Sequence, residues 1–533
     1  MAQGEMNGGV PDERGQQERG SGEQGAGASW AVRLVDEAAT ERLARVLAEQ
    51  AQPGDLFTLT GELGAGKTTF ARAFVRAFAG DAELEVPSPT FTLMQVYEVE
   101  RGTVVHADLY RIAEPQELDN LGWDETADGA VVLVEWAERA GEMLEGDRFD
   151  ISFRLVPGSG GERIAVIMGY GDRAKRVTKL RALRTVLDRA GWGDAARLPL
   201  YGDASTRLYE RLLREDGKTA ILMTSPPRPP SPPVRYGKPY HVVARLSDSV
   251  RAFVAVDLAL RELGLSAPDI YGHDLETGLV LLEDLGSEPF TDADGPIVDR
   301  YMEAVRLLAW LHAREVPSRL PLPDGEEYSI PPYDLDAMTI EVDLLLEWYL
   351  PHHAGRFVPA AGRKAFGDLW NASLEPVLGG AGRKSWALRD FHSPNLIWLA
   401  GREGIQRVGL IDFQDAVMCH PAYDLVSLLQ DARVTVPPEL ELKLLALYAR
   451  ERREHDPDFD MEDMTRAYAI LGAQRATKLF GLFVRLDQRD GKPQYMAHLP
   501  RIGDYLRRDL AHPALEGLRA WFSEHAPQLA TGA

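Results

Sequence analysis

The sequence has little cysteine and no long apolar run. Its 533 residues include one cysteine, Cys419, which excludes an intrachain disulfide and a zinc site built from several cysteines. We expect this side chain to be a small buried core group, the usual role of a free cysteine. The N-terminus lacks the basic and apolar segments of a signal peptide, and no window approaches the roughly 18 apolar residues of a membrane span. These absences predict a cytoplasmic protein that does not associate with a membrane.

An excess of basic charge is lacking as well. The formal net charge is -23 and the sequence pI is about 5.0, which excludes a broad basic surface that binds nucleic acid by counterion release. A role with nucleic acid must therefore be indirect or local. Hydrophobic residues make up 45% and charged residues 26%, an ordinary balance for a globular chain. Because single cores stop growing near roughly 250–300 residues, a chain of this length predicts two or three domains.

Composition and periodicity divide the chain into three parts. Residues 1–28 are rich in Gly, Gln and Glu, so we expect a disordered tail. Residues 29–171 alternate apolar runs with helical patterns and end in a hairpin pattern, which predicts an α/β domain. Residues 172–533 begin with a basic amphipathic helix and two β-rich runs around Asp216-Gly217, and are then mostly helical. Within this part, the proline-rich run at 225–239 predicts a surface excursion.

The run GELGAGKTT, from Gly61 to Thr69, matches the pattern of a P-loop. A strand-like segment precedes it and the helical FARAFVRAFA follows, which is the context that a P-loop requires. Glycines at these places let backbone N–H groups surround phosphates, while a lysine offsets phosphate charge and a threonine hydroxyl binds magnesium. The pattern predicts an ATP-binding site at Gly61, Gly64, Gly66, Lys67, Thr68 and Thr69, with Thr68 as a Mg²⁺ ligand.

Two carboxylates follow apolar runs that have the character of buried strands. Asp108 ends VVHAD and Glu135 ends AVVLVE. Parallel strands end at one edge of a sheet, so both side chains are expected beside the P-loop. A P-loop enzyme needs a carboxylate there to hold the metal or to orient water. The alternative is that the two carboxylates only cap the segments that follow them.

Four motifs in one order resemble the small bacterial TsaE ATPases, which assist threonylcarbamoyladenosine synthesis on tRNA. They are GELGAGKTTFAR, VPSPTFTLMQVY, HADLYR and VEWAER, and the resemblance covers about residues 30–170. It implies that Lys67 and Thr68 serve ATP and magnesium. It also implies that Glu135 stands at the metal or catalytic position and that Asp108 is required for turnover.

The same resemblance implies a switch-like segment and partner proteins. Ser88, Pro89, Thr90 and Phe91 match the segment that lies near the γ-phosphate in this family. The family implies an ATPase that binds between TsaD- and TsaB-type subunits of the tRNA-modifying complex and resets that complex between turnovers. The partners carry most of the tRNA contact, so an acidic chain is compatible with this role and tRNA is bound only indirectly.

A second constellation has the spacing of a kinase catalytic loop. In LRDFHSPNLIWL, Asp390 precedes Asn395 by five residues, as in D-x-x-x-x-N. In this pattern the carboxylate receives the proton of the substrate hydroxyl and the amide holds magnesium. Asp412 ends the apolar strand of VGLIDFQDA, where a second Mg²⁺ ligand belongs. The spacing predicts Asp390 as the catalytic base and Asn395 and Asp412 as metal ligands.

Residues 176–525, approximately, resemble the aminoglycoside phosphotransferase superfamily of small-molecule kinases. The motifs are GDASTRLYERL, VLLEDLG, RDFHSPNLIWL and GLIDFQDAVMCHPAYDLVSLLQD. They are most similar to the amino-sugar kinases of the AmgK type, which phosphorylate the anomeric hydroxyl of N-acetylmuramate and N-acetylglucosamine during cell-wall recycling. The resemblance implies an α+β protein-kinase-like domain. It implies ATP contacts at Gly202, Ser205, Glu283 and Leu285, and a bracing role for Asp424.

One position departs from the general kinase plan. The third strand, TAILMT, offers Met223 where a phosphate-pairing lysine is expected, and the helix that follows has no obvious partner glutamate. Arg207, Lys238 and Arg245 are candidate sources of the missing charge. Two alternatives therefore stay open beside an amino-sugar kinase. One is a kinase of aminoglycosides or other small molecules, and the other is a nucleotide-sensing pseudokinase that regulates the ATPase.

Three histidines lie beside these motifs without the spacing of a metal site. They are His106, His392 and His420, and we assign them structural roles. The sequence as a whole predicts a fusion of an α/β P-loop ATPase with an α+β kinase. Both parts are expected to use ATP and Mg²⁺, and the acceptor of the second part is expected to be an amino sugar.

Overall fold

The structure is a computed structural model that describes residues 28–200, 207–226, 228, 230–379 and 384–531. The chain divides into two compact units between Ala182 and Leu183, within a helix that spans Arg173–Arg189. The predicted tail lies outside the described residues except for Ala28, which begins the first strand. In the part of the chain that is described, no helix combines the length and the apolar character needed to cross a bilayer.

The N-terminal unit is built on one seven-stranded sheet. Its strands are β1 (Ala28–Leu34), β2 (Leu56–Gly61), β3 (Met94–Val99), β4 (Gly102–Asp108), β5 (Val131–Glu135), β6 (Phe149–Leu155) and β7 (Arg163–Gly169). They pair in the order β1-β7-β6-β2-β5-β4-β3. The four central strands are parallel, and the pairs at both ends are antiparallel. All five residues of β5 are buried, as expected of a parallel strand that is covered on both faces.

Helices cover both faces of this sheet. They are α1 (Glu37–Gln50), α2 (Lys67–Ala79), α3 (Trp123–Ala127), α4 (Arg173–Arg189) and the 3₁₀ segments Pro115–Leu121 and Ala137–Leu144. The side chain of Asp36 caps the N-terminus of α1, and Leu43 and Leu47 lie buried one turn apart on its inner face. The predicted α/β architecture is therefore confirmed, and it places the start of α2 directly after the end of β2.

The C-terminal unit combines an antiparallel sheet with several short ribbons. Its strands are β8 (Ala196–Leu200), β9 (Leu208–Leu213), β10 (Thr219–Thr224), β11 (Pro233–Arg235), β12 (Lys238–Pro239), β13 (Ile270–Asp274), β14 (Leu279–Glu283), β15 (Thr291–Asp292), β16 (Gly295–Pro296), β17 (Arg319–Pro321), β18 (Glu327–Ser329), β19 (Ser385–Ala387), β20 (Leu396–Trp398), β21 (Val408–Leu410) and β22 (Val417–Cys419). Five strands pair in the order β13-β14-β10-β9-β8. The predicted hairpin around Asp216-Gly217 joins β9 and β10, and Cys419 is buried as expected.

Most of the C-terminal unit is helical. Its helices are α5 (Tyr240–Val243), α6 (Val250–Glu262), α7 (Val298–His312), α8 (Leu335–Leu344), α9 (Ala360–Gly379), α10 (Ala422–Leu429), α11 (Pro438–His455), α12 (Met461–Asp490), α13 (Leu499–Leu510), α14 (Glu516–His525) and α15 (Pro527–Thr531), with a π-helical turn at Leu345–His353 and 3₁₀ turns at Ser393–Asn395, Gly404–Arg407, Pro493–His498 and Pro513–Leu515. At Gly481, α12 approaches the end of α8 so closely that a Cβ atom would lie 2.2 Å from the carbonyl of Leu344. Glycine there allows the long helix α12 to lie against α8.

The proline-rich run at 225–239 has more regular structure than the sequence predicted. It contains the paired strands β11 and β12, which join through Tyr236 and Gly237. Both turn residues have positive φ, +53° and +69°, as in the tight turns that connect two-stranded ribbons. Prolines hid this ribbon because they are unfavourable inside sheets, but the edge of a short ribbon tolerates them.

Candidate functional sites

The P-loop joins the end of β2 to the start of α2. Gly61 has a φ of +136°, and a Cβ atom there would lie 2.4 Å from the carbonyl oxygen of Phe153. Gly64 and Gly66 also have positive φ, which side chains other than glycine rarely adopt. The three predicted glycines are therefore required by the backbone of the loop. The loop leads into the N-terminus of a 13-residue helix, whose free N–H groups favour a phosphate.

Lys67 lies inside the loop that it is expected to serve. Its Nζ atom donates to the carbonyls of Gly61, at 2.7 Å, and Glu62, at 3.0 Å. It also lies 3.6 Å from the centre of the Trp136 ring, a cation–π contact. Burial lowers the pKa of Lys67, while Glu135 and two further carboxylates oppose this shift. A phosphate would replace the two carbonyls as the partner of the ammonium group.

Glu135 connects the helix that carries Lys67 to the neighbouring strand. One of its carboxylate oxygens accepts a hydrogen bond of 2.7 Å from the Thr68 hydroxyl, and the other lies 2.9 Å from His106 Nε2. Thr68 and Glu135, both predicted Mg²⁺ ligands, are thus adjacent. A hydroxyl and a carboxylate fit the oxygen preference of Mg²⁺, which completes its shell with water and phosphate. Thr69 follows in the first turn of α2.

His106 does more than the structural role predicted from its sequence. The side chain is fully buried and orients the Glu135 carboxylate. Alternation along β4 places His106 and Asp108 on the same face of the strand. The spacing of two residues in HAD was the signal that could have revealed this histidine.

Asp108 holds the segment that was predicted to act as a switch. Its Oδ2 atom accepts hydrogen bonds from the hydroxyls of Ser88, at 3.0 Å, and Thr90, at 2.9 Å. Its Oδ1 atom accepts from the backbone N–H of Tyr110. In the parallel register of β4 and β5, Asp108 lies opposite Glu135. Asp108 therefore links the switch segment to the ends of β4 and β5, which line the nucleotide site.

Apolar side chains are exposed on the loops that surround this site. The exposed fractions are 78% for Leu63, in the P-loop, and 81% for Phe91, in the switch segment. The Arg111 guanidinium lies 4.0 Å above the Phe91 ring, and Tyr110 packs 5.1 Å from Trp136. Both loops therefore present an apolar side chain to solvent beside the nucleotide site.

In the C-terminal unit, Asp424 holds the backbone that leads to the catalytic loop. One carboxylate oxygen accepts from the Leu388 N–H at 2.6 Å and the other from the Arg389 N–H at 2.9 Å. Arg389 has a positive φ of +71°, so the chain turns sharply before Asp390. The expected bracing role of Asp424 is confirmed. Burial raises the pKa of Asp424 to about 7, although the two backbone hydrogen bonds oppose this shift.

Glu341 is the centre of a buried network beneath the same loop. Its carboxylate accepts from Lys478 at 2.8 Å, from Gln474 at 3.2 Å, and also from Arg389 and the Tyr333 hydroxyl. Burial would raise the pKa of Glu341, but Lys478 and Arg389 lower it to about 2. The carboxylate is therefore ionised, and it links α8 and α12 to the residue before Asp390.

Asp390 is held in its ionised form. Burial would raise its pKa, but Arg475 and other cationic groups lower it to about 2. The guanidinium of Arg475 lies 3.5 Å from Asp390 Oδ1 and donates to the Arg389 carbonyl at 3.1 Å. An ionised carboxylate can accept a proton from a substrate hydroxyl. Arg475, on α12, was not identified from the sequence because it lies 85 residues further along the chain.

Asn395 and Asp412 lie together opposite this carboxylate. Asn395 Nδ2 donates to the Asp390 carbonyl at 3.0 Å and to Asp412 Oδ2 at 3.4 Å, which leaves the amide oxygen as a ligand. Burial and the negative charge of Asp390 raise the pKa of Asp412 to about 6. A carboxylate and an amide oxygen fit Mg²⁺ that is shared with phosphates. Among the described residues, no three His, Cys, Asp or Glu side chains form a cluster able to hold a metal.

A cavity of about 690 Å³ connects these groups with the end of β14 and the residues that follow it. At one end lie Glu283 and Leu285, the expected adenine contacts, and Glu283 accepts from the Asp269 N–H at 3.1 Å. At the other end lie the side chains beyond Asp390. Gly202 and Ser205, the expected phosphate contacts, are outside the described residues. Their predicted role is therefore neither supported nor contradicted by the geometry.

Met223 cannot provide the positive charge of the missing lysine, and one of the three candidate side chains is placed on this cavity to do so. Met223 is fully buried in β10, between β9 and β14. Arg207 lines the cavity, with its guanidinium 3.6 Å from Asp412 Oδ1. Arg245 instead pairs with Asp334 at 2.5 Å, and Lys238 is exposed on β12. Of the three candidates, only Arg207 is beside the predicted metal ligands.

Comparisons with known proteins match each unit separately. The model of the family described as "Threonylcarbamoyl adenosine biosynthesis protein TsaE" matches residues 34–160. A TsaE of Rickettsia felis is 37% identical over 123 residues, which are 23% of this chain and 71% of the relative. The model described as "Phosphotransferase enzyme family" matches residues 197–458.

Curated kinases match a larger share of the chain. The N-acetylmuramate/N-acetylglucosamine kinase of Caulobacter vibrioides is 39% identical over 355 residues, which are 64% of this chain and 95% of the relative. The kinase of the same name from Neisseria meningitidis is 31% identical and covers 57% of this chain and 83% of the relative. The chain belongs to both families. Its N-terminal unit is a TsaE unit, and its C-terminal unit is an amino-sugar kinase unit with the phosphotransferase fold.

Within the TsaE unit, the predicted residues come together around the P-loop, and sequence reasoning missed the role of His106. Within the kinase unit, Asp390, Asn395 and Asp412 come together as predicted. Sequence reasoning missed Glu341, Arg475 and the buried role of Arg389. No local motif marks these residues, because each acts through a partner on a distant helix.

Replacing Glu341 tests the network beneath the catalytic loop. Glu341→Gln leaves the cations of Arg389 and Lys478 buried without a counter-charge, which costs about 3–5 kcal/mol by analogy with broken buried pairs. We expect the free energy of unfolding of the kinase unit to fall by this amount. Urea unfolding followed by tryptophan fluorescence measures it. Glu327→Gln, at an exposed pair on β18, is the control and should change little; equal stability of the two variants would contradict the account.

Proposed function

We propose that the chain is a bifunctional cytoplasmic protein. Residues 29–171 form an ATPase that supports threonylcarbamoyladenosine modification of tRNA together with TsaD- and TsaB-type subunits. Residues 172–533 form a kinase that transfers the γ-phosphoryl group of ATP to the anomeric hydroxyl of N-acetylmuramate and N-acetylglucosamine. The kinship of each unit to a curated family supports this assignment, and the ionised Asp390 carboxylate on a cavity is the observation that carries the kinase activity.

The kinase reaction assigns a separate task to each end of the cavity. ATP lies along the segment that follows β14, with adenine at Glu283 and Leu285 and its phosphates directed to Asn395 and Asp412. The sugar lies beyond Asp390, which takes the proton of the anomeric hydroxyl as the oxygen bonds to the γ-phosphorus and ADP leaves. Arg475 keeps Asp390 ionised until then. Because the pKa of this carboxylate is low, the proton moves to it late in the reaction, when bonding to phosphorus has made the sugar hydroxyl acidic.

Two sources of positive charge would balance the negative charge of the phosphates. Asn395 and Asp412 would hold magnesium, which would supply positive charge beside the transferred group. Arg207 serves in place of the lysine that Met223 replaces, because its guanidinium lies beside Asp412.

The ATPase unit links nucleotide state to partner contact. Lys67 exchanges the carbonyls of its own loop for phosphate, and Thr68 and Glu135 provide oxygen ligands for the metal. Ser88 and Thr90 reach Asp108 from the switch segment, and the exposed Phe91 is part of the same segment. Hydrolysis in the site therefore changes the position of a side chain that a TsaD- or TsaB-type subunit would cover.

The alternatives are less well supported. A pseudokinase would have no need to retain an ionised base and two adjacent metal ligands in one cavity. An aminoglycoside kinase would bind a cationic acceptor, but Arg433 and Arg475 line the acceptor side of this cavity. These guanidinium groups favour a neutral or acidic acceptor.

The kinase activity is tested with the full chain, ATP, Mg²⁺ and each amino sugar. Phosphorylation of the anomeric hydroxyl removes the reducing end, so loss of reducing-sugar signal reports the position as well as the rate. Asp390→Asn should lower kcat by about 10²- to 10⁴-fold, the usual contribution of a general base, and leave ATP binding unchanged. Asp368→Asn, on the exposed surface of α9, is the matched control. Phosphorylation of aminoglycosides but not of amino sugars would contradict the proposal.

The ATPase activity is tested by adding purified TsaD- and TsaB-type subunits. We expect weak hydrolysis by the chain alone, clear stimulation by the subunits, and loss of stimulation in Lys67→Ala because the phosphates lose their counter-charge. Phe91→Ala should bind ATP normally but respond less to the subunits. Val35→Ala, an exposed apolar residue near the end of β1, is its control. Stimulation that persists in Lys67→Ala would show that another site hydrolyses the ATP.

A further inference from the structure

The acceptor end of the kinase cavity carries an unusual balance of charge. We define this end by the six residues that line it beyond the catalytic base: His392, Ala432, Arg433, Arg475, Phe483 and Tyr495. The aromatic rings and the alanine provide apolar contact of the kind that a sugar ring uses. The guanidinium groups add positive charge, and this end contains no carboxylate side chain.

Most arginines on the cavity wall are already paired. Arg207 lies 3.6 Å from Asp412, Arg211 lies 2.8 Å from Asp284, and Arg475 lies 3.5 Å from Asp390. Arg228 donates to the Ser247 carbonyl at 2.7 Å. Each of these groups is held by an oxygen of the protein. They leave Arg433 as the cavity arginine without a protein oxygen on its guanidinium, among the residues that the structure describes.

Arg433 contacts two rings. Its NH1 atom lies 3.4 Å from His392 Nε2, and its guanidinium carbon lies 6.0 Å from the centre of the Tyr495 ring. The nearby carboxylate of Asp431 is occupied, since it accepts from the backbone and hydroxyl of Ser393 and from the backbone N–H of Arg433 itself. The guanidinium of Arg433 thus lines the cavity without a hydrogen bond to a carboxylate, among the residues that the structure describes.

Apart from Asp431, the polar groups around Arg433 are neutral or positively charged. Burial lowers the pKa of His392 to about 4, so this ring is neutral near pH 7 and accepts from the guanidinium. Arg501 donates to the Ala432 carbonyl at 2.6 Å and to the Thr435 hydroxyl, so it adds positive charge. Burial, together with Arg433 and Arg501, lowers the pKa of His498. An anion at this place would find a local excess of positive charge.

Arg433 is also at a suitable distance from the reacting group. His392 Nε2 lies 4.0 Å from Asp390 Oδ1 and 3.4 Å from Arg433 NH1. Both groups therefore lie against the same imidazole nitrogen, and Asp390 Oδ1 and Arg433 NH1 are no more than 7.4 Å apart, a gap that a sugar ring spans. A hexose with its anomeric hydroxyl on Asp390 would present substituents of the opposite ring edge to Arg433.

We propose that Arg433 binds the carboxylate of an acidic acceptor, the lactyl group of N-acetylmuramate, and makes the kinase prefer this sugar to N-acetylglucosamine. The inference rests on the proposed kinase activity. The two sugars differ in the lactyl ether, which carries the only charge of N-acetylmuramate. A guanidinium matches a carboxylate with two parallel N–H donors, so it recognises both charge and shape.

The test compares three acceptors on the full chain: N-acetylmuramate, its methyl ester, which is uncharged, and N-acetylglucosamine. In the unmodified chain we expect kcat/KM to be highest for the acid. Arg433→Gln should lower kcat/KM for the acid by about 10- to 100-fold, mainly through KM, as expected for a hydrogen bond to a charged group. The values for the ester and for N-acetylglucosamine should stay within about twofold. Arg433→Lys should restore part of the preference.

Arg450→Gln is the matched control, because it removes the same charge from an exposed position on α11 outside the cavity. Equal losses for all three acceptors in Arg433→Gln would overturn the inference, since they would mean that Arg433 acts through His392 and Asp390. An unchanged preference for the acid would overturn it as well. Failure of the unmodified chain to phosphorylate any of the three would instead contradict the proposed function, and the inference would fall with it.

Discussion

The kinase site depends on one buried ion pair, between Glu341 on α8 and Arg389 at the entry to the catalytic loop. Arg389 has a left-handed backbone, which turns the chain so that the next residue, Asp390, faces the cavity. Because both charges are buried, each would be left without a counter-charge if the pair separated. Neither α8 nor the catalytic loop can therefore shift without the other. Lys478 completes the charge balance from α12. The long helix thereby fixes both the loop and Arg475, which keeps the catalytic base ionised.

The TsaE unit solves a similar problem with backbone geometry. The parallel register of β4 and β5 places Asp108 opposite Glu135, and β2 delivers the P-loop to the same edge. Local glycine conformations shape the phosphate site there, whereas the kinase cavity uses side chains from distant segments. The chain thus contains two ways of binding ATP, one built from a contiguous loop and the other from a cavity. This difference explains why more of the first site than of the second could be predicted from the sequence.

Contiguous motifs could be interpreted from the sequence because their chemistry lies within a few residues. The strand and helix around the P-loop and the two strands around Asp216-Gly217 were predicted correctly in their local structure. Long-range partners could not be predicted: Glu341 and Arg475 carry no local pattern, and their roles exist only after α8 and α12 have packed. His106 was an intermediate case, since its spacing from Asp108 indicated a shared face but gave no partner.

The stoichiometry of nucleotide binding shows whether one chain holds two separate ATP sites. Titration calorimetry of the full chain with a non-hydrolysable ATP analogue and Mg²⁺ should give two molecules bound per chain. Lys67→Ala should remove one of them and Asp412→Asn the other, each leaving its counterpart unchanged. One molecule per chain, or loss of both on a single substitution, would contradict the account.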